Sequence, residues 1–281
     1  MSTSSKTEEV MKIALFVEGS APVGSKDQCA RLWNTTLLPA LGRTPVDVVV
    51  PIGKDAITNM LGLPGSSSAP GLDARICDAR RTHNLDPDRD ALIVAWDLEP
   101  VDKDQRRCAW DEKISVYQGI ANSPLSLLRD TAWAACAAKA ATQLENLRDV
   151  PPTGRSQRTV KAGAVLAVCM EPMFEALFTR DGRAVRRALD LKHDPPGWPT
   201  GWGVEARDPS ARLMEPAIAA IRRIRPAHQV RRIIRDTWGN AKDEWSEYII
   251  RKLLADEAQR EAILEHAISR RLKNILPRSK D

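Results

Sequence analysis

The chain has 281 residues, 43% of them apolar and 28% charged, with a formal net charge of +5. That apolar content is enough to bury a core, which excludes a chain that is disordered throughout or a collagen-like rod. No apolar run approaches the ~20 residues that cross a bilayer, so an integral membrane protein is excluded and no membrane partner is expected.

The N-terminus, Met1-Ser-Thr-Ser-Ser-Lys-Thr-Glu-Glu, is polar and no apolar signal segment follows it, so residues 1–10 read as a disordered tail and the expected location is cytoplasmic. Cysteines 29, 77, 108, 136 and 169 are scattered and form no C-x-x-C pair, which indicates neither a disulfide framework nor a zinc knuckle. Residues 1–150 hold 17 Lys+Arg and 20 Asp+Glu, a balance of −3, and residues 151–281 hold 25 and 17, a balance of +8. An acidic half suited to cations joined to a basic half suited to polyanions fits a nucleic-acid enzyme, and it also fits ordinary helix surfaces.

In chain order, Lys12-Ile-Ala-Leu-Phe-Val-Glu18 is a short apolar run stopped by Gly19, which predicts a buried strand. Asp27 to Leu41 puts Cys29, Leu32, Trp33, Thr36, Leu37 and Ala40 on one helical face ending at Gly42. Val46 to Ile52 predicts a second strand, followed by a short helix and a Gly/Ser/Pro loop over residues 63–71. Asp90 to Trp96 predicts a third strand, and residues 104–147 read as mostly helical. Pro151 to Ser156 reads as a linker, Gly163 to Met170 as a fourth strand, and Glu171-Pro-Met-Phe-Glu-Ala-Leu-Phe as a helix start with Pro in its first turn. Residues 211–225, 230–238 and 241–275 read as helices. Continuous rather than alternating apolar runs suit strands covered on both faces. The expected fold class is therefore α/β, a Rossmann-like parallel sheet of about four strands flanked by helices, over residues 11–205. A helical C-terminal extension over residues 206–281 completes it.

Three of these strands end in acid: Glu18; Asp97 and Glu99; and Glu171 followed by Glu175. In a parallel sheet the carboxyl ends share one edge, where ligands bind, so the acids are expected to converge. Clustered carboxylates raise one another's pKa and call for a compensating cation. Oxygen ligands without His or Cys select Mg²⁺ or Mn²⁺, and such an ion can activate water for phosphodiester cleavage. Glu18 can alternatively act as a general base. The rival reading is that acids end strands because chains must return to water.

Leu15-Phe-Val-Glu-Gly19 before a helix, with Val94-Ala-Trp-Asp-Leu-Glu99 ending a later strand, resembles the TOPRIM domain, which pairs a glutamate after its first strand with a D-x-D element after its third. Met170 to Asp181, with Asp208-Pro-Ser-Ala-Arg-Leu further on, is similar to a TOPRIM-like family of unknown function often found beside ATPases in bacterial anti-phage defence loci. The resemblance covers about residues 12–215. It implies Glu18 as the catalytic or metal-binding glutamate, Asp97 and Glu99 at the D-x-D positions, with Glu replacing the second Asp, and Glu175 in the later acidic motif. It also implies an ATPase partner. Strand passage would need a tyrosine in a separate gate domain, so a nuclease is favoured over a topoisomerase; the alternative is a non-catalytic scaffold or interaction subunit.

Basic residues supply candidate nucleic-acid contacts. Lys26 follows a P-loop-like segment that lacks the GK[ST] order, so it reads as a possible phosphate contact or a solvated helix-start lysine. Arg207 and Arg212 flank Asp208. Arg222, Arg223, Arg231 and Arg232 interleave with isoleucines and read either as a phosphate-neutralising patch or as the wet faces of two helices. Trp198 and Trp202 are candidates for base stacking, whereas Trp33, Trp96, Trp110, Trp133, Trp238 and Trp245 are expected in packing. The apolar stripe from Trp245 to Ile275 reads as core or as a dimer helix.

Overall fold

A computed structural model describes residues 11–18, 26–63, 68–97, 106–148, 159–170, 173–196, 198, 210–223, 234 and 237–279. Glu99, Glu171, Arg207, Trp202, Arg231, Arg232 and the glycine-rich stretch 19–25 lie outside them.

The β-branched and aromatic runs become β1 (Ile13–Glu18), β2 (Val48–Ile52) and β3 (Ala91–Asp97), with β4 (Thr159–Ala162) and β5 (Val165–Met170) following. They form one sheet in the order β2-β1-β3-β5-β4. Four strands are parallel, and β4 pairs antiparallel with β5. Pro51 is compatible with β2 because β2 is an edge and its missing N–H breaks no inner ladder.

The expected α/β class is present, but five strands replace the expected four. The extra strand, Thr159-Val-Lys-Ala162, turns back through Gly163, whose φ is +62°. Only Val160 and Ala162 are buried along it, an alternation too short to stand out beside the fully apolar β5.

Strand alternation feeds two cores. Ile13, Leu15, Val17, Ala91, Ile93 and Ala95 pack with the C-terminal helices, while Ala14, Phe16, Leu92, Val94 and Trp96 pack on the opposite face. The opposite face is covered by α3 (Lys54–Met60), α4 (Leu72–His83), α5 (Arg106–Ala121) and α6 (Ala132–Arg148), preceded in the chain by α1 (Lys26–Arg31) and α2 (Leu38–Ala40). The periodicity over 27–41 corresponds to one helical stretch whose middle, Leu32–Leu37, widens into a π-helix. The helix Leu72–His83 was not evident, since Leu72, Ile76, Cys77 and Ala79 are its only buried positions among charged neighbours.

One further expectation is corrected and two are refined. Instead of a helix starting at Glu171, the described chain makes a four-residue 3-10 turn, Phe174–Leu177. At its end the Glu175 carbonyl accepts from both Thr179 N–H (3.1 Å) and Thr179 Oγ1 (2.9 Å), and Asp181 then caps α7 (Gly182–Ala188). The helix expected over 211–225 is present across its described residues, as a π turn, Ser210–Met214, leading into α8 (Glu215–Arg223). Residues 241–275 form three helices: α9 (Lys242–Leu254), α10 (Glu257–Leu264) and α11 (Ala267–Ile275). Side-chain caps at Asp256 and His266, which accept from Gln259 N–H and Ile268 N–H, divide them. Of the expected helix 230–238, only Ile234 and residues 237–238 are described, the latter in a turn.

The apolar stripe is used within the chain: Trp245, Ile249, Leu253, Ile263, Ile268 and Leu272 are buried beside β1 and β3 residues. Trp198 is also buried, its indole N–H donating to the Leu213 carbonyl (2.8 Å), so it is not placed to stack on a base. The six tryptophans expected in packing are all buried. Among the described residues no helix is long and apolar enough to cross a membrane.

Gly163 supports the added strand. A Cβ there would fall 2.7 Å from Cys136 Sγ, on a backbone that L side chains rarely adopt. Gly163→Ala is expected to cost about 1–3 kcal/mol, measured as a lowered urea midpoint with an unchanged slope.

Candidate functional site

The carboxyl edge of the sheet carries the site. Val17 pairs with Ala95 and Asp97 with Met170, so β1, β3 and β5 end side by side. Alternation sends Glu18 to the α5 side and Asp97 to the side of the C-terminal helices. The two nevertheless meet at the rim, where Asp97 N–H donates to Glu18 Oε2 (3.2 Å).

Glu18 and Asp97 line a cavity of about 30 Å³ together with Glu175, Asp243, Lys242 and Cys29. Its apolar wall includes Val17, Leu32, Trp33, Pro51 and Phe174. That space suits a water or a single ion rather than an organic cofactor. Each acid has an assigned neighbour. Lys113, only 3% exposed, donates from Nζ to Glu18 Oε2 (2.5 Å) and Glu112 Oε1 (3.3 Å), and its ammonium lies 5.9 Å from the Trp96 ring centre. Burial acts to lower the Lys113 pKa, but Glu18 and Glu112 more than offset it and the net shift is upward. Lys113 is thus a fixed internal cation. Asp97 Oδ1 accepts from Phe174 N–H (2.9 Å), and Glu175, itself buried, pairs with Lys242 at 3.2 Å.

The remaining acids carry the strain of this arrangement. Desolvation, then the charges of Glu175 and Glu18, hold the Asp97 carboxyl well above the ordinary carboxylate range. Asp243 is pushed up to about 6, chiefly by desolvation and also by Glu175, although a hydrogen bond from the Cys29 thiol and the charge of Lys242 oppose this. Its Oδ2 is buried without a hydrogen-bond partner. Burial and Asp243 push the Cys29 thiol strongly up, so it acts as a donor and not as a nucleophile.

Of the expected site residues, Glu18, Asp97 and Glu175 therefore line one cavity. Glu99 and Glu171 lie outside the described residues. Lys26 opens α1, Arg222 is exposed on α8, and Arg223 ends that helix; Arg212 is exposed in the preceding π turn. Arg207, Arg231 and Arg232 lie outside the described residues. Lys113, Lys242, Asp243 and Cys29 were missed. Lys113 did leave a signal, because it shares the helical stripe of Trp110, Tyr117 and Ile120, where a lysine is out of place. Lys242 and Asp243 sit in an ordinary polar first turn and gave none.

Among the described residues, no three His, Cys, Asp or Glu side chains are grouped closely enough to hold a metal ion as they stand. Comparison with known proteins adds no relative: no family model, curated protein or solved structure matches the chain.

Asp243 makes stability depend on pH. Its folded pKa of about 6 lies above the ordinary Asp value, so between the two the folded state binds more protons and stability falls as pH rises. Asp243→Asn is expected to leave stability near pH 4 unchanged and to raise it by about 1–3 kcal/mol above pH 6. Urea unfolding at both pH values checks this, and a variant that is not stabilised at high pH contradicts it.

Proposed function

We propose that the protein is a metal-dependent nuclease, using Mg²⁺ or Mn²⁺ to hydrolyse phosphodiester bonds of DNA or RNA at this cavity. The observation that carries the reading is the meeting of Glu18, Asp97, Glu175 and Asp243, from four separate chain segments, at the sheet edge where α/β folds place ligands. Four carboxylates with no imidazole match a hard divalent cation. The unpartnered Oδ2 of Asp243 and the proton-retaining Asp97 are the groups a cation would satisfy.

In this reading Asp97, Glu175 and Asp243 hold the ion, with Glu99 and Glu171 as neighbouring candidates. Bound there, the ion would lower the pKa of its water and neutralise the leaving oxygen. Because Glu18 and Glu175 are each tied to a lysine, the cavity must loosen at least one of these pairs to admit an ion. Lys113 Nζ fixes the Glu18 carboxylate in place against the cavity, where Glu18 would accept a proton from attacking water. A TOPRIM-like assignment, a cytoplasmic role in anti-phage defence and an ATPase partner belong to the same proposal and rest on the resemblance.

Cleavage of labelled DNA and RNA with Mg²⁺ tests it. Glu18→Gln and Asp97→Asn are each expected to lower the rate by about 100-fold or more, Asp97→Asn with the thermal midpoint preserved and Glu18→Gln with a lowered midpoint because Lys113 keeps only Glu112 as its anion. Mn²⁺ binding should release protons from Asp97 and Asp243, seen as a calorimetric enthalpy that changes with the buffer's ionisation enthalpy.

A second reading is favoured by the lysine clamps and the lack of a ready ligand triad among the described residues: the fold is a non-catalytic scaffold whose acid–lysine pairs are structural. Wild-type protein that neither binds Mn²⁺ nor cleaves DNA or RNA, even with a partner present, would establish that reading.

A further inference from the structure

We infer that Lys242 is the resident counter-ion of the cavity, a displaceable ammonium that holds the site against a divalent cation and leaves Glu175 when one enters. The inference rests on the metal-binding half of the nuclease reading and not on cleavage.

Two lysines neutralise acids of this edge, and their settings differ. The Lys113 side chain is 4% exposed, its Nζ is shared between Glu18 and Glu112, and it is Glu18, not the lysine, that lines the cavity. Drawn away from those partners, Lys113 would leave its ammonium stranded in an apolar interior. Lys242 lines the cavity itself, its side chain is 25% exposed, and its Nζ lies 3.2 Å from Glu175 Oε1. The Trp238 ring centre is 5.8 Å from the same nitrogen. An ammonium that moves off Glu175 therefore keeps an aromatic face and water within reach.

Glu175 is the acid for which the two cations compete. It is buried, so as a carboxylate it needs a cation beside it. The space of about 30 Å³ admits a single ion, and a divalent ion a few ångströms from an ammonium meets twice the repulsion of a monovalent one. Entry of the ion and departure of Lys242 are therefore one event. Two features favour the exchange. Asp243, next to Lys242 in the first turn of α9, lines the same cavity with a buried Oδ2 that has no hydrogen-bond partner; an ion in the cavity can take up that oxygen along with Glu175. The Glu175 backbone is meanwhile fastened, its carbonyl accepting from both the N–H and the hydroxyl of Thr179, so the lysine and not the acid is the part that moves.

Calorimetric titration with Mn²⁺ of the wild type and of Lys242→Met, which keeps the apolar stem and removes the charge, tests the exchange. The expected result is an Mn²⁺ affinity raised by about tenfold or more in the variant, with Lys242→Arg, which retains a cation, binding no more tightly than the wild type. A second measurement needs only the wild type. Acetylation by an N-hydroxysuccinimide ester, read by peptide mass spectrometry, should label Lys242 severalfold faster with Mn²⁺ than without, while the exposed Lys252 is unchanged. Unchanged or weaker Mn²⁺ binding by Lys242→Met overturns the proposal, as does bound Mn²⁺ that leaves Lys242 labelling unaltered; if the variant does not fold, the labelling decides. Mn²⁺ bound by neither protein overturns it together with the nuclease reading. The expected exchange in a wild type that cleaves neither DNA nor RNA sinks the nuclease reading alone, whereas cleavage by a wild type whose Lys242 labelling ignores bound Mn²⁺ sinks this inference alone.

Discussion

Carboxylates withdrawn from water must be matched by cations or keep their protons, and that requirement organises the sheet edge. Glu18 and Glu175 take the first solution, with Lys113 and Lys242 as partners at 2.5 and 3.2 Å. Asp97, raised well above the ordinary carboxylate range, takes the second, and Asp243, pushed up to about 6, takes it only below that pH. The cavity is therefore divided between charges satisfied by lysines and charges held back by protons. A divalent cation would act on the second group.

The fold makes this division possible by closing the edge from both sides. The helix 106–121 brings Lys113 to Glu18 from one face of the sheet, beneath the Trp96–Trp110 edge-to-face pair. From the other face, the first turn of the helix 242–254 delivers Lys242 and Asp243, while Phe174 donates its backbone N–H to Asp97. Further support lies at the opposite end of the strands. The fully buried Asp90 accepts from Lys12 N–H and Asp86 N–H, both at 2.8 Å, which fixes the start of β3 beside β1. Strand offsets set there decide which residues emerge together at the far rim.

Much of this was legible in the chain. β1, β3 and β5 are continuous apolar runs ending in acid, and a parallel sheet obliges those ends to share an edge. Glu18, Asp97 and Glu175 could be found by that reasoning because each belongs to a strand or to the turn just after one. Asp243 and Lys242 could not, since what brings them in is the docking of a helix far along the chain. β4 was hidden by its length, and the helix 72–83 by its few apolar positions. The breaks at Asp256 and His266 depend on caps that continuous apolar spacing overrides in a reading by periodicity.

The segment 42–44 and the segment 278–279 are stitched together. Arg43 bridges Arg278, Ser279 N–H donates to the Gly42 carbonyl, and the Thr44 hydroxyl donates to the Arg278 carbonyl. Translation delivers these partners at nearly opposite times. Until the last helices leave the ribosome, the face of the sheet with Leu15, Val17 and Ile93 on it has only part of its cover, from Leu32, Trp33, Leu37 and the segments just after β5, and lacks Trp245, Ile249, Ile268 and Leu272. That core is thus completed only at the end of synthesis, so its two ends must meet after the sheet between them has formed.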